Sequence, residues 1–416
     1  MRVLFVTEQF PYPLDTGGNV RTYHLLKGLA GAHEVVLLAG AQDGLSAEHL
    51  DAVRPWCADV QIVRAPRAGA WRDVVIVARS LVDRSAVVLA RHFRTEISRR
   101  IGALMAAQHS GADGAPGPRR VFDAVHFNHL DAALYADRVP DGVRKVLDLH
   151  NVVSNQVRRM VAAEPPGVRK WLLQREVRRL PRVEAALCNA MDLCLVCSED
   201  DERSLHALGV HRPLRVIPNG VDLEYFHPPG GGETRPGTMV FVGTLDYDPC
   251  EKGVWYFCRE ILPLIRRQLP RARFVAVGRN PSKRLRELAA SDPAIQLAGR
   301  VDDVRPHVWS SAVSVVPLLS GSGTRLKILE AMAMGSPVVS TSIGIEGIAA
   351  ADGVHALIAD DPAGFAAATM RVMDNPALAA RLARSGRELV EAQFGWRAVC
   401  ERLLQAYGAL AVRAAA

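Results

Sequence analysis

Short runs of apolar residues alternate with helical patterns along almost the whole chain of 416 residues. The clearest runs are VLFVT at 3–7, EVVLLA at 34–39, MVFVG at 239–243 and VSVVP at 313–317. Similar runs lie at 59–63, 122–127, 145–149, 192–196, 214–218, 273–278, 295–299, 337–341 and 355–359. A strand that is apolar on both faces must be covered on both sides, as in a parallel sheet between two layers of helices. The pattern therefore predicts an α/β protein with doubly wound parallel sheets.

One segment interrupts this alternation and divides the chain. PPGGGETRPG at 228–237 has no periodicity and is rich in proline and glycine, so we predict a linker there. Residues 1–227 form the predicted first domain and residues 238–394 the second, followed by a terminal helix over 395–416. Two doubly wound domains place a ligand in the crevice between them, at the carboxyl ends of the strands.

Two predicted insertions depart from the alternation. Residues 67–120 are predicted to form helices followed by a flexible loop, GADGAPGPRR at 111–120. Residues 167–189 are predicted to be helical with an interruption at Pro181. One face of this second segment carries arginines and the other carries apolar residues; the arginines are Arg175, Arg178, Arg179 and Arg182. The face is either an ordinary solvated one or a surface for anionic lipid headgroups or an acidic acceptor.

Composition excludes several classes of protein. The net charge of +7 suits a phosphorylated or polyanionic partner, but it is too small and too scattered to predict nucleic-acid binding. We find no run of 18 apolar residues and no leader-like start, so neither a transmembrane helix nor a signal peptide is predicted. The seven cysteines lie mostly in apolar runs, and no Cys or His pairs have zinc spacing. Reduced thiols, no metal and a cytoplasmic location are therefore expected.

The stretch GSGTRLKILEAMAMGSPVVST at 321–341 predicts an anion site. Gly321, Ser322 and Gly323 allow a tight turn after an apolar strand, and a helix is predicted to begin near Thr324. Free N–H groups and the positive end of the helix dipole, together with two nearby cations, suit a phosphate group. The cations are Arg325 and Lys327.

Glu330 lies one turn further along, in the otherwise apolar helix ILEAMAM. A carboxylate in apolar surroundings is costly unless it is paired or hydrogen-bonded, and sugar hydroxyls are suitable partners. The alternative is that Glu330 pairs with Lys327, three residues back on the same helix.

With these features, the chain resembles the retaining family-4 glycosyltransferases of the GT-B fold. The motifs that carry the resemblance are VIPNGVDLEYFHP at 216–228, PLDTGGNVRTYHLLKGLA at 13–30, FVGTLDYDPCEKGVWYF at 241–257, VAVGRN at 275–280 and LAGRVDDVRPH at 297–307. The 321–341 stretch is most similar to bacterial exopolysaccharide-type sugar transferases. The resemblance implies two Rossmann-like domains facing across a donor/acceptor cleft, with the last helix crossing back to the first domain.

The resemblance also implies an activity. The enzyme would move a sugar from a nucleotide-sugar to a hydroxyl acceptor (a sugar, a glycolipid or another hydroxyl) with retention of configuration, in surface-glycan or exopolysaccharide biosynthesis. The nucleotide-sugar is a co-substrate, and neither a cofactor nor a metal is implied. The expected location is the cytoplasm, and peripheral contact with the inner face of an anionic membrane is expected only if the arginine face at 175–182 binds lipid.

Donor-binding roles follow from the resemblance by position. Glu330 would bind the ribose hydroxyls, and Lys252 would neutralise the diphosphate. The loop residues Gly323, Thr324 and Arg325 would face the sugar and the diphosphate. Gly17 and Gly18 would let the first-domain loop approach the phosphates, although each glycine also suits an ordinary turn.

Three departures from the family pattern affect the remaining assignments. Ser322 replaces the first glutamate of a Glu-x7-Glu pair, so the transferred sugar cannot be assigned. Thr244 replaces an arginine, whose charge Arg325, Lys327 or Arg279 would supply. The family's Asp-x-x-His-x-His pattern appears as DAVHFNH at 123–129. Its catalytic histidine is therefore His126 or His129, and each also suits a structural role.

Two other functions remain open at this point. A nucleotide-sugar 2-epimerase shares the fold but needs a carboxylate and histidine cluster, which we do not find in the sequence. A nucleotide-sugar-binding protein that has lost catalysis would explain Ser322 and Asn128.

Overall fold

The computed structural model describes residues 1–41, 45–64, 86–106, 122–231, 235–321 and 323–412. Contacts divide the chain into two compact units. The N-terminal unit comprises Met1–Pro218 together with Cys400–Ala416, and the C-terminal unit comprises Asn219–Val399. Residues 219–227, which we predicted to end the first domain, thus belong to the second unit. Their contacts explain this, because Phe226 packs against the second core and its carbonyl accepts a hydrogen bond of 2.8 Å from Arg387.

Each unit contains one parallel sheet. The strands of the N-terminal unit are β1 (Arg2–Thr7), β2 (Glu34–Ala41), β3 (Asp59–Arg64), β4 (Ala124–Asn128), β5 (Arg144–Asp148), β6 (Leu193–Val196) and β7 (Leu214–Val216), in the order β3-β2-β1-β4-β5-β6-β7. Those of the C-terminal unit are β8 (Arg235–Val242), β9 (Arg273–Val277), β10 (Ile295–Gly299), β11 (Ser311–Val316), β12 (Val338–Ser340) and β13 (Leu357–Ile358), in the order β10-β9-β8-β11-β12-β13. The predicted doubly wound parallel sheets are confirmed.

Helices connect the strands. In the N-terminal unit they are Gly17–Ala30, Ala47–Val53, Val87–Ala90, Thr95–Ala106, Val153–Ala163, Val168–Asn189 and Glu199–Ala207, with 3₁₀ turns at Arg54–Trp56 and Ala132–Arg138. In the C-terminal unit they are Asp248–Tyr256, Leu262–Gln268, Lys283–Ser291, Arg305–Trp309, Leu326–Ala333, Ser342–Ile345, Pro362–Asp374 and Pro376–Gln393, with a π-helical turn at Phe257–Ile261. The last helix is Trp396–Val412.

Three sequence predictions need local correction. β8 begins at Arg235, inside the predicted linker, because the Arg235 N–H bonds to the Ser310 carbonyl at 2.8 Å and the strand pairs with β11. The helix after β11 begins at Leu326 rather than near Thr324. The helix Val168–Asn189 continues through Pro181, where an interruption was predicted. The predicted loop at 111–120 lies outside the described residues.

The end of the last helix belongs to the N-terminal unit. Tyr407 is fully buried there, and its hydroxyl lies 2.8 Å from His126 Nδ1. Cys400 Sγ lies 3.5 Å from the His24 carbonyl oxygen. A Cβ on Gly28 would lie 2.5 Å from that sulfur, so a glycine at 28 is needed for this close packing.

Candidate functional site

The site of the C-terminal unit begins where β8 and β9 end. A Cβ on Gly278 would lie 1.7 Å from the Gly243 carbonyl oxygen, a distance that no side chain permits. The two loops that follow these strands therefore meet closely at the carboxyl edge of the sheet. In an open parallel sheet, this edge is where ligands bind.

The loop after β11 reaches the same edge with a left-handed backbone. Gly321 has φ +132° and Gly323 has φ +73°, values that favour glycine. The helix Leu326–Ala333 starts directly after Arg325, and no side chain among the described residues caps it. N–H groups at the start of this helix are thus available to an anion, and binding of an anion there stays a prediction.

Arg325 and Thr324 are both buried in this loop. The Arg325 guanidinium donates to the carbonyls of Gly323 and Ile343, and it lies 3.8 Å from a Glu346 carboxylate oxygen. Arg325 therefore organises the loop, whatever contact it also makes with a ligand. The Thr324 hydroxyl is buried without a hydrogen-bond partner among the described residues.

Glu330 and Lys327 lie one turn into the helix. Glu330 is partly buried, and its carboxylate makes no hydrogen bond to any residue that the structure describes. Lys327 Nζ lies 3.3 Å from Cys250 Sγ and 5.1 Å from the centre of the Phe241 ring. Both side chains line a pocket whose other walls are mostly aliphatic: Val240, Val242, Val304, Val308, Val315, Val316, Ala331 and Met334, with Ser314. Burial raises the pKa of Glu330 to about 7, and the charge of Lys327 opposes this only in part. The predicted alternative, a Glu330–Lys327 salt bridge, is not formed in this structure.

The two other predicted cations lie on neighbouring elements. Lys252 is on the helix that contributes Cys250, and its ammonium is 2.9 Å from Asp248 on the exposed face. Arg279 follows β9, and its carbonyl accepts a hydrogen bond from Leu245 at 3.1 Å. Contact of either cation with a diphosphate stays a prediction.

Asp246 and Asp248 have the spacing of a cation-binding Asp-x-Asp motif. In the structure, Asp246 accepts a hydrogen bond of 2.8 Å from Asn280, and Asp248 pairs with Lys252. Within the described residues, no group of three or more His, Cys, Asp or Glu side chains is arranged to hold a metal ion.

The N-terminal unit has a polar cluster at the carboxyl ends of β4 and β5. His129 has a left-handed backbone (φ +76°), and its Nδ1 lies 3.1 Å from Asp131. Its ring meets the His150 ring edge-on, with centres 5.2 Å apart. The His150 Nε2 lies 3.3 Å from Asp148 and 3.2 Å from Asn128 Oδ1. Because both neighbours are acceptors, Nε2 carries the proton and Nδ1 is left as an acceptor.

Protonation differs between these histidines. Burial would lower the pKa of His129, but the hydrogen bond and charge of Asp131 outweigh it and raise that pKa. Burial lowers the pKa of His150 despite the opposing effect of Asp148. His129 is thus suited to carry a positive charge near neutral pH, and His150 is suited to be a neutral acceptor.

His126, the other histidine candidate, lies in the core. It is fully buried, stacks on Phe5 with ring centres 4.4 Å apart, and meets Tyr407 through Nδ1. Burial lowers its pKa to about 4. In this conformation the side chain of His126 points from β4 into the core and is closed off from solvent. His129 stands beyond the end of the strand and is one-third exposed.

The glycine pair predicted to approach a phosphate opens the helix Gly17–Ala30. Thr16 caps this helix, its hydroxyl accepting from the Asn19 N–H at 3.3 Å. A Cβ on Gly18 would lie 3.7 Å from His150 Nδ1, which is an ordinary contact. The glycine loop and His150 are therefore neighbours, but no contact within the described part of the chain requires glycine at 18.

The sequence analysis missed the residues that support this cluster. Arg21 and Asp148 are both fully buried and form a two-bond ion pair, with Nε–Oδ2 at 2.9 Å and Nη2–Oδ1 at 2.5 Å. Arg21 Nη1 also donates to the Ile217 carbonyl at 2.8 Å. One signal was available: Asp148 lies at the end of the predicted strand KVLDL and His150 directly follows it, where side chains reach the carboxyl edge.

Two family matches together cover most of the chain. Residues 16–225 match the family described as Glycosyltransferase Family 4, and residues 236–375 match the one described as Glycosyl transferases group 1. Among curated proteins, a glycogen synthase of Mycobacterium tuberculosis is 29% identical over 57% of this chain and 59% of its own length. An MMP alpha-(1->4)-mannosyltransferase of Mycolicibacterium hassiacum is 26% identical over 72% of this chain and 74% of its own. The chain thus spans about three-fifths of the length of the first of these relatives.

Solved structures resemble nearly the entire chain. A sucrose-phosphate synthase from Thermosynechococcus elongatus superposes with a TM-score of 0.71 at 19% identity, covering 99% of this chain and all of the other. Anabaena Alr3699/HepE in complex with UDP gives a TM-score of 0.67 at 14% identity, covering 98% of this chain and all of that one. At these identities the likeness shows the fold alone. With the two parallel sheets, it establishes the GT-B fold.

Proposed function

The chain belongs to glycosyltransferase family 4, and we propose that it transfers a sugar from a nucleotide-sugar donor to a hydroxyl acceptor with retention of configuration. The observation that carries this proposal is Glu330. A carboxylate without a hydrogen bond to any described residue faces an aliphatic pocket beside an uncapped helix start and Lys327. These are elements that a nucleoside diphosphate needs, namely an acceptor for ribose hydroxyls and N–H and cationic groups for phosphate.

The donor is proposed to be bound by the C-terminal unit. Glu330 would accept hydrogen bonds from the ribose, and the N–H groups at the start of the helix would contact the diphosphate together with Lys327. Gly323 and Thr324 line the approach, and the unpartnered hydroxyl of Thr324 is a suitable donor to a phosphate oxygen. We propose uridine diphosphate as the first nucleotide to test, because structures of the same fold are described as complexes with UDP and UDP-glucose.

The difficult step is departure of the diphosphate while the anomeric carbon becomes oxocarbenium-like. Preorganised cations and N–H groups stabilise the charge that grows on the leaving group. Lys252, Arg279, Arg325 and Lys327 are the cations that we propose for this task, without a metal ion. The acceptor hydroxyl would attack from the leaving-group face and pass its proton to the departing phosphate.

For the reacting sugars we propose His129 and His150 of the N-terminal unit. Both stand at the carboxyl edge of the sheet, with the glycine loop beside His150. Asp131 and Asp148 fix their rings. A surface-glycan acceptor at the cytoplasmic face of a membrane is the acceptor class that we propose.

The decisive experiment is incubation of the full chain with labelled UDP-, GDP-, ADP- and dTDP-sugars. Transfer or slow hydrolysis of one donor with retained configuration supports the proposal. An epimerised donor would identify a 2-epimerase, and binding without turnover would identify a protein that has lost catalysis.

Lys252 offers a matched test of the diphosphate contact. Lys252→Met should lower kcat/KM for the preferred donor at least tenfold if the ammonium faces the diphosphate. Lys283→Met is the control, because Lys283 forms the same kind of exposed pair, with Glu287 four residues on, at 3.6 Å. Equal rates in the two variants would remove Lys252 from the donor site.

A further inference from the structure

A helical hairpin of the N-terminal unit is strongly basic. The basic hairpin comprises residues 153–189, that is, the helices Val153–Ala163 and Val168–Asn189 with the turn between them. Its sequence holds eight arginines and lysines and three glutamates, a net charge of +5 in a chain whose net charge is +7. The basic hairpin is therefore a local concentration of positive charge on two packed helices.

Two of the three glutamates point inward. Glu184 accepts from the N–H groups of Val153 and Ser154 at 2.8 and 3.0 Å, so it caps the first helix of the hairpin. Glu176 accepts from the Val88 N–H at 3.2 Å and caps the short helix Val87–Ala90 in the same way. Both carboxylates are buried. The eight cations of the basic hairpin are thus accompanied by one further acidic residue within the hairpin, Glu164.

The outer face combines these cations with apolar groups. Trp171, Arg175, Arg178 and Arg182 follow one another at the i, i+4, i+7 and i+11 positions of one helix face. Trp171 is 52% exposed, and the Arg175 guanidinium lies 5.1 Å from the centre of its ring. Arg178 and Arg182 are exposed and form no salt bridge with any described residue. Met160, on the other helix, is 41% exposed.

We infer that the basic hairpin docks on an anionic lipid bilayer, with Trp171 and Met160 entering the headgroup region and the arginines facing lipid phosphates. Charge complementarity supports a polyanionic partner, since each arginine near an anionic bilayer contributes to attraction. Trp171 and Met160 favour a bilayer over a soluble polyanion as the partner, because exposed tryptophan prefers the interface between water and hydrocarbon. Docking would bring the N-terminal unit to a lipid-linked acceptor, a consequence that rests on the proposed function.

The test is sedimentation of the full chain with vesicles of phosphatidylcholine alone and with about one third phosphatidylglycerol. We expect binding only to the anionic vesicles. The triple variant Arg175→Ser, Arg178→Ser, Arg182→Ser should bind them roughly a hundredfold more weakly, since each arginine contributes about fivefold. Trp171→Ser should weaken binding severalfold and leave the remaining binding more sensitive to salt.

A second triple variant is the matched control. Arg267→Ser, Arg381→Ser, Arg384→Ser removes the same charge from exposed positions of the C-terminal unit, and its vesicle binding should equal that of the parent. Equal losses in the two triple variants, or no binding by the parent, would overturn the inference. Displacement from the vesicles by heparin or RNA at matched charge would identify a soluble polyanion as the partner instead.

Two further measurements separate this inference from the proposed function. The thermal midpoint and the UDP affinity of the hairpin variants should equal those of the parent, because no hairpin residue belongs to the proposed donor site. Lost vesicle binding with normal UDP affinity supports docking. Normal vesicle binding without any donor turnover would contradict the transferase proposal alone.

Discussion

Two carboxylates near the carboxyl edges of the two sheets differ in their partners and in the direction of their pKa shifts. Asp148 of the N-terminal unit is fully buried and contacts Arg21 through two bonds and His150 through a third. Glu330 of the C-terminal unit has no hydrogen bond to any described residue. Burial alone would raise both pKa values. Arg21 instead holds the pKa of Asp148 far below its usual range, while the pKa of Glu330 rises to about 7.

The difference in partners indicates different roles: Asp148 supports its neighbours, and Glu330 is the carboxylate that we propose for ligand binding. A buried carboxylate whose acceptors are all used within the protein can only hold its neighbours in place, and Asp148 holds His150. A carboxylate left without partners is destabilising unless a ligand supplies them. The proposed contact with ribose hydroxyls would recover the free energy that Glu330 costs in the unliganded protein.

The largest expected effect comes from removing Arg21, the cation that pairs with Asp148. Arg21→Met leaves Asp148 buried without its cation, with only the His150 contact remaining, which should cost about 3–5 kcal/mol of unfolding free energy. Chemical denaturation at pH 7 measures this loss. The control is Arg54→Met, because Arg54 pairs with Asp51 at 3.2 Å on the exposed surface and should matter by less than about 1 kcal/mol. Similar losses in the two variants would mean that burial does not distinguish the pairs.

The fold could be predicted because its signals are local, and so could the presence of one glutamate in an otherwise apolar helix. Each buried strand is a continuous apolar run, and a single glutamate in an apolar helix is conspicuous in the sequence. The Arg21–Asp148 pair could not be predicted, since the partners are 127 residues apart and meet only after β1, β4 and β5 assemble.

The choice between His126 and His129 also required the structure. The sequence places both near the end of a strand, but it does not show that the Tyr407 hydroxyl, from the last helix, meets His126 in the core. The helix after β11 starts two residues later than predicted because Gly323 takes a left-handed conformation and Arg325 remains extended.

The second prediction concerns Glu330, whose carboxylate has no hydrogen bond to any described residue. Glu330→Gln replaces charge-assisted hydrogen bonds to ribose with neutral ones, so nucleotide affinity should fall about ten- to hundredfold, or ~1–3 kcal/mol. Helix propensity hardly changes. Because a buried charge is removed, the thermal midpoint without nucleotide should stay equal or rise. A destabilised variant with normal nucleotide affinity would contradict the ribose assignment.

Glu184 has an environment between those of Asp148 and Glu330. It is a buried carboxylate whose partners are N–H groups rather than a cation, and burial raises its pKa although those hydrogen bonds oppose the rise. Glu184→Ala removes the cap of the helix Val153–Ala163 and should cost about 0.5–2 kcal/mol. Nucleotide affinity should not change. Glu184→Gln, which keeps one acceptor, should recover part of the loss; equal losses would show that packing rather than capping is responsible.

The smallest expected effect is the pH dependence that Glu330 imposes. Its pKa is raised from 4.5 in the unfolded chain to about 7 in the folded one. The folded protein therefore binds more protons between these values, and its stability falls as pH rises from about 5 to 7. Because the side chain is partly exposed, solvent screening reduces the difference to about 1 kcal/mol. The gap in thermal midpoint between Glu330→Gln and the parent should widen over this range in the same direction.

Donor binding should show the opposite trend. Ionised Glu330 is the better hydrogen-bond acceptor, so affinity for the intact nucleotide-sugar, whose diphosphate diester does not titrate in this range, should rise severalfold from pH 6 to 8. Titration calorimetry in two buffers of different ionisation enthalpy should detect proton release on binding near pH 7. Glu330→Gln should show neither the rise nor the proton release. If the donor affinity of the parent protein does not change from pH 6 to 8, Glu330 has the same charge with and without donor. The contrast between Glu330 and Asp148 would then not reflect donor binding.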